Sequence, residues 1–230
     1  MLKLENVYKT YKNQSEEIIV LKNINLSIPK SSIAVIMGPS GSGKSTLLGV
    51  SAGLDQIDSG KIFLDGEDIT QKDEDELAEI RAKKIGFIFQ NFQLIRNLTA
   101  LENISLPLVI GKYPEKLIQK KAEELISKVG MSHRKNHFPG QLSGGEEQRI
   151  AIARAFANDP IILFADEPTG NLDSKNSEIV MQMLVDLNKK NNSTLIIVTH
   201  DPKVAQIANV IYTMQDGEIF PQKQKKSKQK

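Results

Sequence analysis

At residues 31–37 an apolar run, SSIAVIM, breaks into Gly38-Pro39-Ser40-Gly41-Ser42-Gly43-Lys44-Ser45-Thr46, and this junction most limits the folds open to the chain. The pattern G-x-x-x-x-G-K-[ST] lets consecutive backbone N–H groups turn inward around phosphate oxygens, places the Lys44 charge on the β- and γ-phosphates, and offers the Ser45 hydroxyl to Mg²⁺. The design needs a strand before it and a helix after it, because a helix N-terminus carries the partial positive charge that completes the cradle. The run lacks period-2 alternation, so it reads as a strand covered on both faces. A helix is expected from Lys44 to about Gly53.

Two more apolar runs, IILFA (161–165) and TLIIVT (194–199), read as further central parallel strands. A helix is expected from near Ser174, with Ile179, Val180, Met183, Leu184 and Leu187 on one face. Strands alternating with helices make an α/β, doubly wound core. Ahead of it, LKLENVYKTY and IIVLKNINLSI alternate as antiparallel strands, and GKIFLDG joins them with Gly60 and Gly66 as turns. Residues 92–158 are mostly helical in pattern and are expected to form a lobe inserted between core strands. Thr99 with Glu102 makes a capping box there, and PEKLIQKKAEELISKVG closes on Gly130.

Ligands of doubly wound sheets bind outside the carboxyl ends of the strands, and each apolar run ends in chemistry. The second ends in Asp166-Glu167. Neighbouring strand residues point opposite ways, so Asp166 suits the outer shell of Mg²⁺, behind its direct ligands, and Glu167 suits polarising an attacking water. The third run ends in Thr199-His200, where a neutral imidazole can donate to a γ-phosphate and hold Glu167 and water in line. Gln90 ends a fourth segment, IGFIFQ (85–90), and its amide oxygen can complete the Mg²⁺ shell. Taken singly, an Asp-Glu pair or a lone histidine is more often structural; beside a lysine-bearing phosphate loop the balance reverses. His133 and His137, in MSHRKNHFPG, read as polar loop residues.

The chain has no cysteine, which excludes disulfides and thiolate metal sites. No apolar run reaches the roughly 18–20 residues that span a bilayer, and MLKLENVYKT has no apolar leader, so a cytoplasmic location is expected. Net charge is +2, but the last ten residues hold five lysines (Lys223, Lys225, Lys226, Lys228, Lys230) and no acid, leaving −3 elsewhere. Residues 221–230 are expected to be a solvated, disordered tail, with a weak tether to anionic lipid as the sharper alternative. A nucleic-acid partner is not expected, because the body carries no basic excess.

Taken in order, GPSGSGKST, FQ at 89–90, LSGGE at 142–146, ILFADEP at 162–168, NLD at 171–173 and TH at 199–200 resemble an ABC transporter ATP-binding subunit. RAKKIGFIFQNFQLIRNLTALENISLPL and FADEPTGNLDS look like the lipoprotein-releasing and macrolide-exporter subgroup. The resemblance spans about residues 1–220. It implies a P-loop NTPase fold of α/β class in one domain, with a parallel core sheet, an N-terminal antiparallel β subdomain and the helical lobe. The implied cofactors are ATP and Mg²⁺, and Tyr11 matches the position that stacks on adenine. Leu142, Ser143, Gly144, Gly145 and Glu146 would cap the γ-phosphate of an ATP held by a second copy, since this loop has neither lysine nor metal ligand. Asn171, Leu172 and Asp173 would sit at the same interface. The partners implied are therefore a second copy in an ATP-dependent, head-to-tail homodimer and an integral-membrane permease on a separate chain, met near Phe92 to Ile110. That places the chain on the cytoplasmic face of the membrane.

Glu146 departs from the glutamine common in the family, and it is expected to point away from the phosphate. A rival reading keeps the ATPase and makes it a mechanical regulator of a membrane partner, as in cell division. A DNA-repair or ribosome-associated ATPase fits less well, for lack of long coiled coils or a second cassette.

Overall fold

The computed structural model describes residues 1–12 and 16–222; the lysines of the tail lie outside the described residues. In chain order the elements are β1 (Leu2–Lys12), β2 (Glu17–Ile28), β3 (Ile33–Met37), α1 (Lys44–Ser51), β4 (Ser59–Leu64), β5 (Glu67–Asp68), α2 (Glu74–Lys84) and β6 (Ile85–Ile88). There follow α3 (Ala100–Ile110), α4 (Glu115–Lys128), α5 (Gly144–Ala155), β7 (Ile162–Asp166), α6 (Ser174–Asn191), β8 (Thr194–Thr199), β9 (Val210–Gln215) and β10 (Glu218–Gln222). The chain divides into two compact units, Met1–Leu77 with Thr194–Lys230, and Ala78–Ser193.

In the first unit β1 pairs antiparallel with both β2 and β4, and β5 completes this sheet. Alternation along β1 buries Leu2, Leu4 and Val7 on one face, the pattern of a sheet with one face on the core. Gly66 has φ 85 and turns the chain between β4 and β5. Gly60, expected as a turn, instead lies inside β4, where an added Cβ would stand 2.5 Å from the Asn6 carbonyl oxygen. The second sheet of this unit is built on β3, which pairs in parallel with β8 and β9, while β10 returns antiparallel to β9. β8 is buried along its whole length and β3 along all but Met37. Their lack of alternation reflects that double cover.

In the second unit β6 and β7 pair in parallel, and α3, α4 and α5 pack on one another. α3 starts at the expected capping box: Thr99 accepts from the Glu102 N–H while the Glu102 carboxylate accepts from the Thr99 N–H at 2.7 Å. α6 starts on Asp173, whose carboxylate accepts from the Asn176 N–H at 2.9 Å, and stops on Asn192 at φ 53. It buries Val180, Leu184, Val185 and Leu187, each worth about 1.5–3 kcal/mol relative to exposure. The apolar face is thus rotated from the expected one: Ile179 is 40% exposed, and Val185 takes the place it was given. The parallel strands, antiparallel sheet and helical portion are the expected α/β class.

Candidate functional site

In the first unit the loop Gly38–Gly43 joins β3 to α1. Gly43 is the N-cap of α1 at φ 99, with no side-chain cap, so the first N–H groups of the helix have no local acceptor. Lys44 is buried, and its Nζ donates to the Gly38 carbonyl at 2.9 Å and the Pro39 carbonyl at 2.8 Å. Both acceptors are uncharged carbonyls, so this buried cation favours an anion alongside. Ser42 Oγ is buried without a hydrogen-bond partner, a costly state for a hydroxyl unless a ligand completes it. These residues fit a polyphosphate. Ser45 is exposed at the start of α1, as a hydroxyl offered to a metal must be.

Tyr11 stands at the end of β1 in the same unit, 43% exposed. Its hydroxyl donates to Asp55 Oδ2 at 2.5 Å, and Lys9 Nζ lies 4.9 Å from the ring centroid. Lys9 is buried and also donates to Asp55 Oδ1 at 2.8 Å and to the Gln56 carbonyl at 2.6 Å. The ring is therefore clamped at its edge. Burial, then the hydrogen bond to Asp55, raises the Tyr11 pKa; a hydrogen bond with Thr46 opposes this. Burial works against the Asp55 charge, but the bonds from Lys9 and Tyr11 outweigh it and lower its pKa. His200 follows β8, and Met37 and Thr199 are register partners. Gly38 and His200 consequently each lie one residue beyond the same strand pair.

In the second unit Ile88 and Ala165 are register partners, so Gln90 and Asp166-Glu167 follow the same ends of β6 and β7. Asp166 is the last residue of β7. Glu167 is not in the strand: its φ is 45, and its carbonyl accepts from the Gly170 N–H at 3.0 Å. The separation of the two carboxylates therefore comes from a left-handed turn and not from strand alternation. That backbone costs about 1–3 kcal/mol and is typical of functional sites. Gln90 Nε2 donates to Asn171 Oδ1 at 3.4 Å, and Asn171 Nδ2 donates to the Gln90 carbonyl and to Asn91 Oδ1, each at 3.0 Å. Asn171 is thus engaged with the Gln90 loop of its own chain.

Ser143 is the N-cap of α5. An added Cβ on Gly144 would stand 3.6 Å from Leu172 Cδ2, and one on Gly145 would stand 2.9 Å from Asn176 Oδ1. The LSGGE turn and the NLD segment are neighbours within this unit, with Asp173 capping α6 beside them. Glu146 does not point away as expected. Its Oε2 accepts from the Ser143 N–H and from Ser143 Oγ, both at 2.9 Å, and its Oε1 accepts from Arg134 Nε at 3.2 Å. The physical reason is the capping box, which satisfies two donors at a helix start. The Ser143 N–H bond, with its hydroxyl and Arg134 against a smaller desolvation penalty, lowers the Glu146 pKa.

Four residues that sequence reasoning passed over act on these positions. Lys9 and Asp55 clamp Tyr11, and the i, i+2 spacing of Lys9 and Tyr11 on a strand was the one available signal. Gln148, fully buried in α5, donates to the Pro168 carbonyl at 2.5 Å and so supports the turn after Glu167. Arg154, at the far end of α5, donates to the carbonyls of Phe92 and Gln93.

Residues 21–170 match the ABC transporter family model. An ABC transporter ATP-binding protein of Methanocaldococcus jannaschii is 48% identical over 219 residues, covering 95% of this chain and 97% of its own. The lipoprotein-releasing system ATP-binding protein LolD of Cytophaga hutchinsonii is 43% identical over 220 residues, covering 96% and 99%. Among solved structures, the ATP-binding cassette MJ0796, a dimer in a post-hydrolysis state with ADP and Pi, superposes with a TM-score of 0.90 at 47% identity, covering 97% of this chain and 98% of that one. A lysine-bearing phosphate loop on a parallel sheet, matched in sequence and fold at this level, makes the chain a member of the ABC transporter family, as an ATP-binding ATPase subunit.

Proposed function

We propose that this chain binds ATP with Mg²⁺, closes head to tail on a second copy around two ATP molecules, and drives a separate membrane permease, for export or extrusion of a lipoprotein, lipid, peptide or drug. The observation that carries this reading is the pairing of one complete phosphate cradle, Gly38–Thr46, with one incomplete one, the Ser143 turn. The second opens a helix N-terminus but has neither lysine nor metal ligand, so it suits a phosphate already held by another chain. The dimeric MJ0796 cassette and the LolD relative support the homodimer and the export role respectively. No helix among the described residues is long and apolar enough to cross a membrane. We place the permease contact near Phe92 to Ile110, in the helical lobe of 92–158, and the chain itself on the cytoplasmic face of the membrane.

In this reading Tyr11 stacks on the adenine, with Asp55 and Lys9 holding the ring. Backbone N–H groups of Ser40–Thr46 cradle the phosphates, and Lys44 sets its charge on the terminal pair. Ser45, Gln90 and Asp166 would hold Mg²⁺, which supplies charge neutralisation on the phosphate oxygens. Glu167, re-aimed by its left-handed turn, accepts a proton from the attacking water. His200 donates a hydrogen bond to the γ-phosphate and keeps water and Glu167 in line. Ser143 and Gly145 meet that phosphate from the second copy, with Asn171, Leu172 and Asp173 beside them, so its loss on hydrolysis opens the dimer.

The test is Glu167→Gln. Turnover should fall by about a hundredfold or more, and the variant should accumulate as an ATP-dependent dimer in size-exclusion chromatography. Hydrolysis at the wild-type rate would remove Glu167 from its role. Lys44→Ala should lose ATP binding, and normal binding there would overturn the cradle.

A further inference from the structure

The loop after β6 holds two consecutive residues in the left-handed region, Phe92 at φ 56 and Gln93 at φ 50. Neither has the short polar side chain that tolerates that region. Such a pair persists only where its surroundings over-determine it. Arg154 does so: Nη1 donates to the Gln93 carbonyl at 2.5 Å and Nη2 to the Phe92 carbonyl at 2.8 Å. The fork of a guanidinium matches two adjacent acceptors, and both are uncharged carbonyls. On the other side of the loop Asn171 donates to the Gln90 carbonyl and to Asn91 Oδ1. The Gln90 side-chain Nε2 is itself turned to Asn171, which leaves the side-chain Oε1 as the atom offered to a cation.

Arg154 lies near the C-terminal end of α5, and the N-cap of that helix is Ser143. α5 is buried along much of its length, with Gly145, Gln148, Ile150, Ala151, Ile152 and Ala153 all inside. We propose that Arg154 is a positioning residue for Gln90: by forking over the Phe92 and Gln93 carbonyls it ties the reach of the Gln90 amide to the helix that begins at Ser143. A phosphate contact that shifts Ser143 is then carried along α5 to the loop presenting Gln90. In the dimer this links the ATP met by Ser143 with the Mg²⁺ held in the same chain. The inference rests on the assignments of Gln90 to Mg²⁺ and of Ser143 to a phosphate made above.

The experiment compares wild type, Arg154→Met, Arg154→Lys, Gln90→Ala and the Arg154→Met/Gln90→Ala double variant. It measures binding of ATP with and without Mg²⁺, the Mg²⁺ concentration for half-maximal turnover, and hydrogen exchange of residues 89–94. Arg154→Met should raise the Mg²⁺ requirement and lower turnover by about tenfold or more, the scale of a loop displaced by an ångström. ATP affinity without Mg²⁺ should stay within about twofold, and exchange in the loop should accelerate. In the Gln90→Ala background the same change should add less than about twofold, because the two residues act as a unit. Lysine, which reaches one carbonyl at a time, should fall between, and it decides the matter should the methionine variant not fold. An unchanged Mg²⁺ requirement and unchanged loop exchange in the Arg154 variants, with Gln90→Ala impaired, overturns the inference. An unimpaired Gln90→Ala instead overturns the metal assignment of Gln90.

Discussion

Glu146 closes on Ser143: one carboxylate oxygen takes both the backbone N–H and the hydroxyl of Ser143 at 2.9 Å. The residue proposed to meet a partner's phosphate is therefore held from behind by an anion of its own chain. Arg134, at 3.2 Å from the other oxygen, balances that charge, and its Nη1 in turn lies 3.1 Å from His137 Nε2. A loop that read as plain polar linker supports the head of α5.

This arrangement fixes a pH dependence. The Glu146 pKa is lowered in the folded chain from its ordinary 4.5, so its stabilisation is fully present above about 4.5 and fades as pH falls through the depressed value. Urea unfolding midpoints should fall along an acid limb as pH is lowered in wild type, and along a shallower one in Glu146→Gln, since Asp55 keeps its own depressed carboxylate. Ser143→Ala, which removes the N-cap acceptor, should cost about 1 kcal/mol at neutral pH. An acid limb of equal steepness in Glu146→Gln would show that the carboxylate is not engaged in solution.

The first glycine of the phosphate loop is required by packing. A Cβ on Gly38 would collide with the Met214 carbonyl of β9, whereas one on Gly41 would meet nothing within 4 Å and face only a φ of 80. Gly38→Ala should destabilise the chain by about 3 kcal/mol, and Gly41→Ala by about 1 kcal/mol. Denaturant titration without nucleotide separates them, and equal losses would contradict the close approach.

The Tyr11 clamp predicts a split between binding and turnover. Asp55→Ala frees the phenol edge and removes the partner of a buried lysine, so KM for ATP should rise by about tenfold or more, the scale of one hydrogen bond to a charged group, with kcat within about twofold. Ultraviolet titration should show the Tyr11 phenol ionising above 10 in wild type and nearer to it in Asp55→Ala. A kcat loss with unchanged KM would remove Asp55 from nucleotide binding.

Local pattern carried much of this molecule. The strand-loop-helix at Gly38–Thr46, the unbroken apolar runs that became β3, β7 and β8, and the Thr99–Glu102 box all depend on residues within a few positions of one another, where backbone sterics and helix-end chemistry decide the outcome. Tyr11, Gln90 and Glu167 were legible as positions but not as geometries. Glu167 owes its direction to a left-handed backbone, and Gln90 to an asparagine 81 residues away.

What tertiary structure alone decided are contacts between elements that no spacing rule links. Asp55 reaches Tyr11 from 44 residues off, Gln148 supports Pro168 from another helix, and Arg154 grips carbonyls 61 and 62 residues earlier. Each is a hydrogen bond whose partner is chosen by where packed helices and strands leave a donor and an acceptor within about 3 Å. The sequence by itself determined that this chain would cradle a phosphate. Only the packing determined which side chains hold the cradle's companions in place, because hydrogen-bond energy falls away over distances far shorter than the chain separating them.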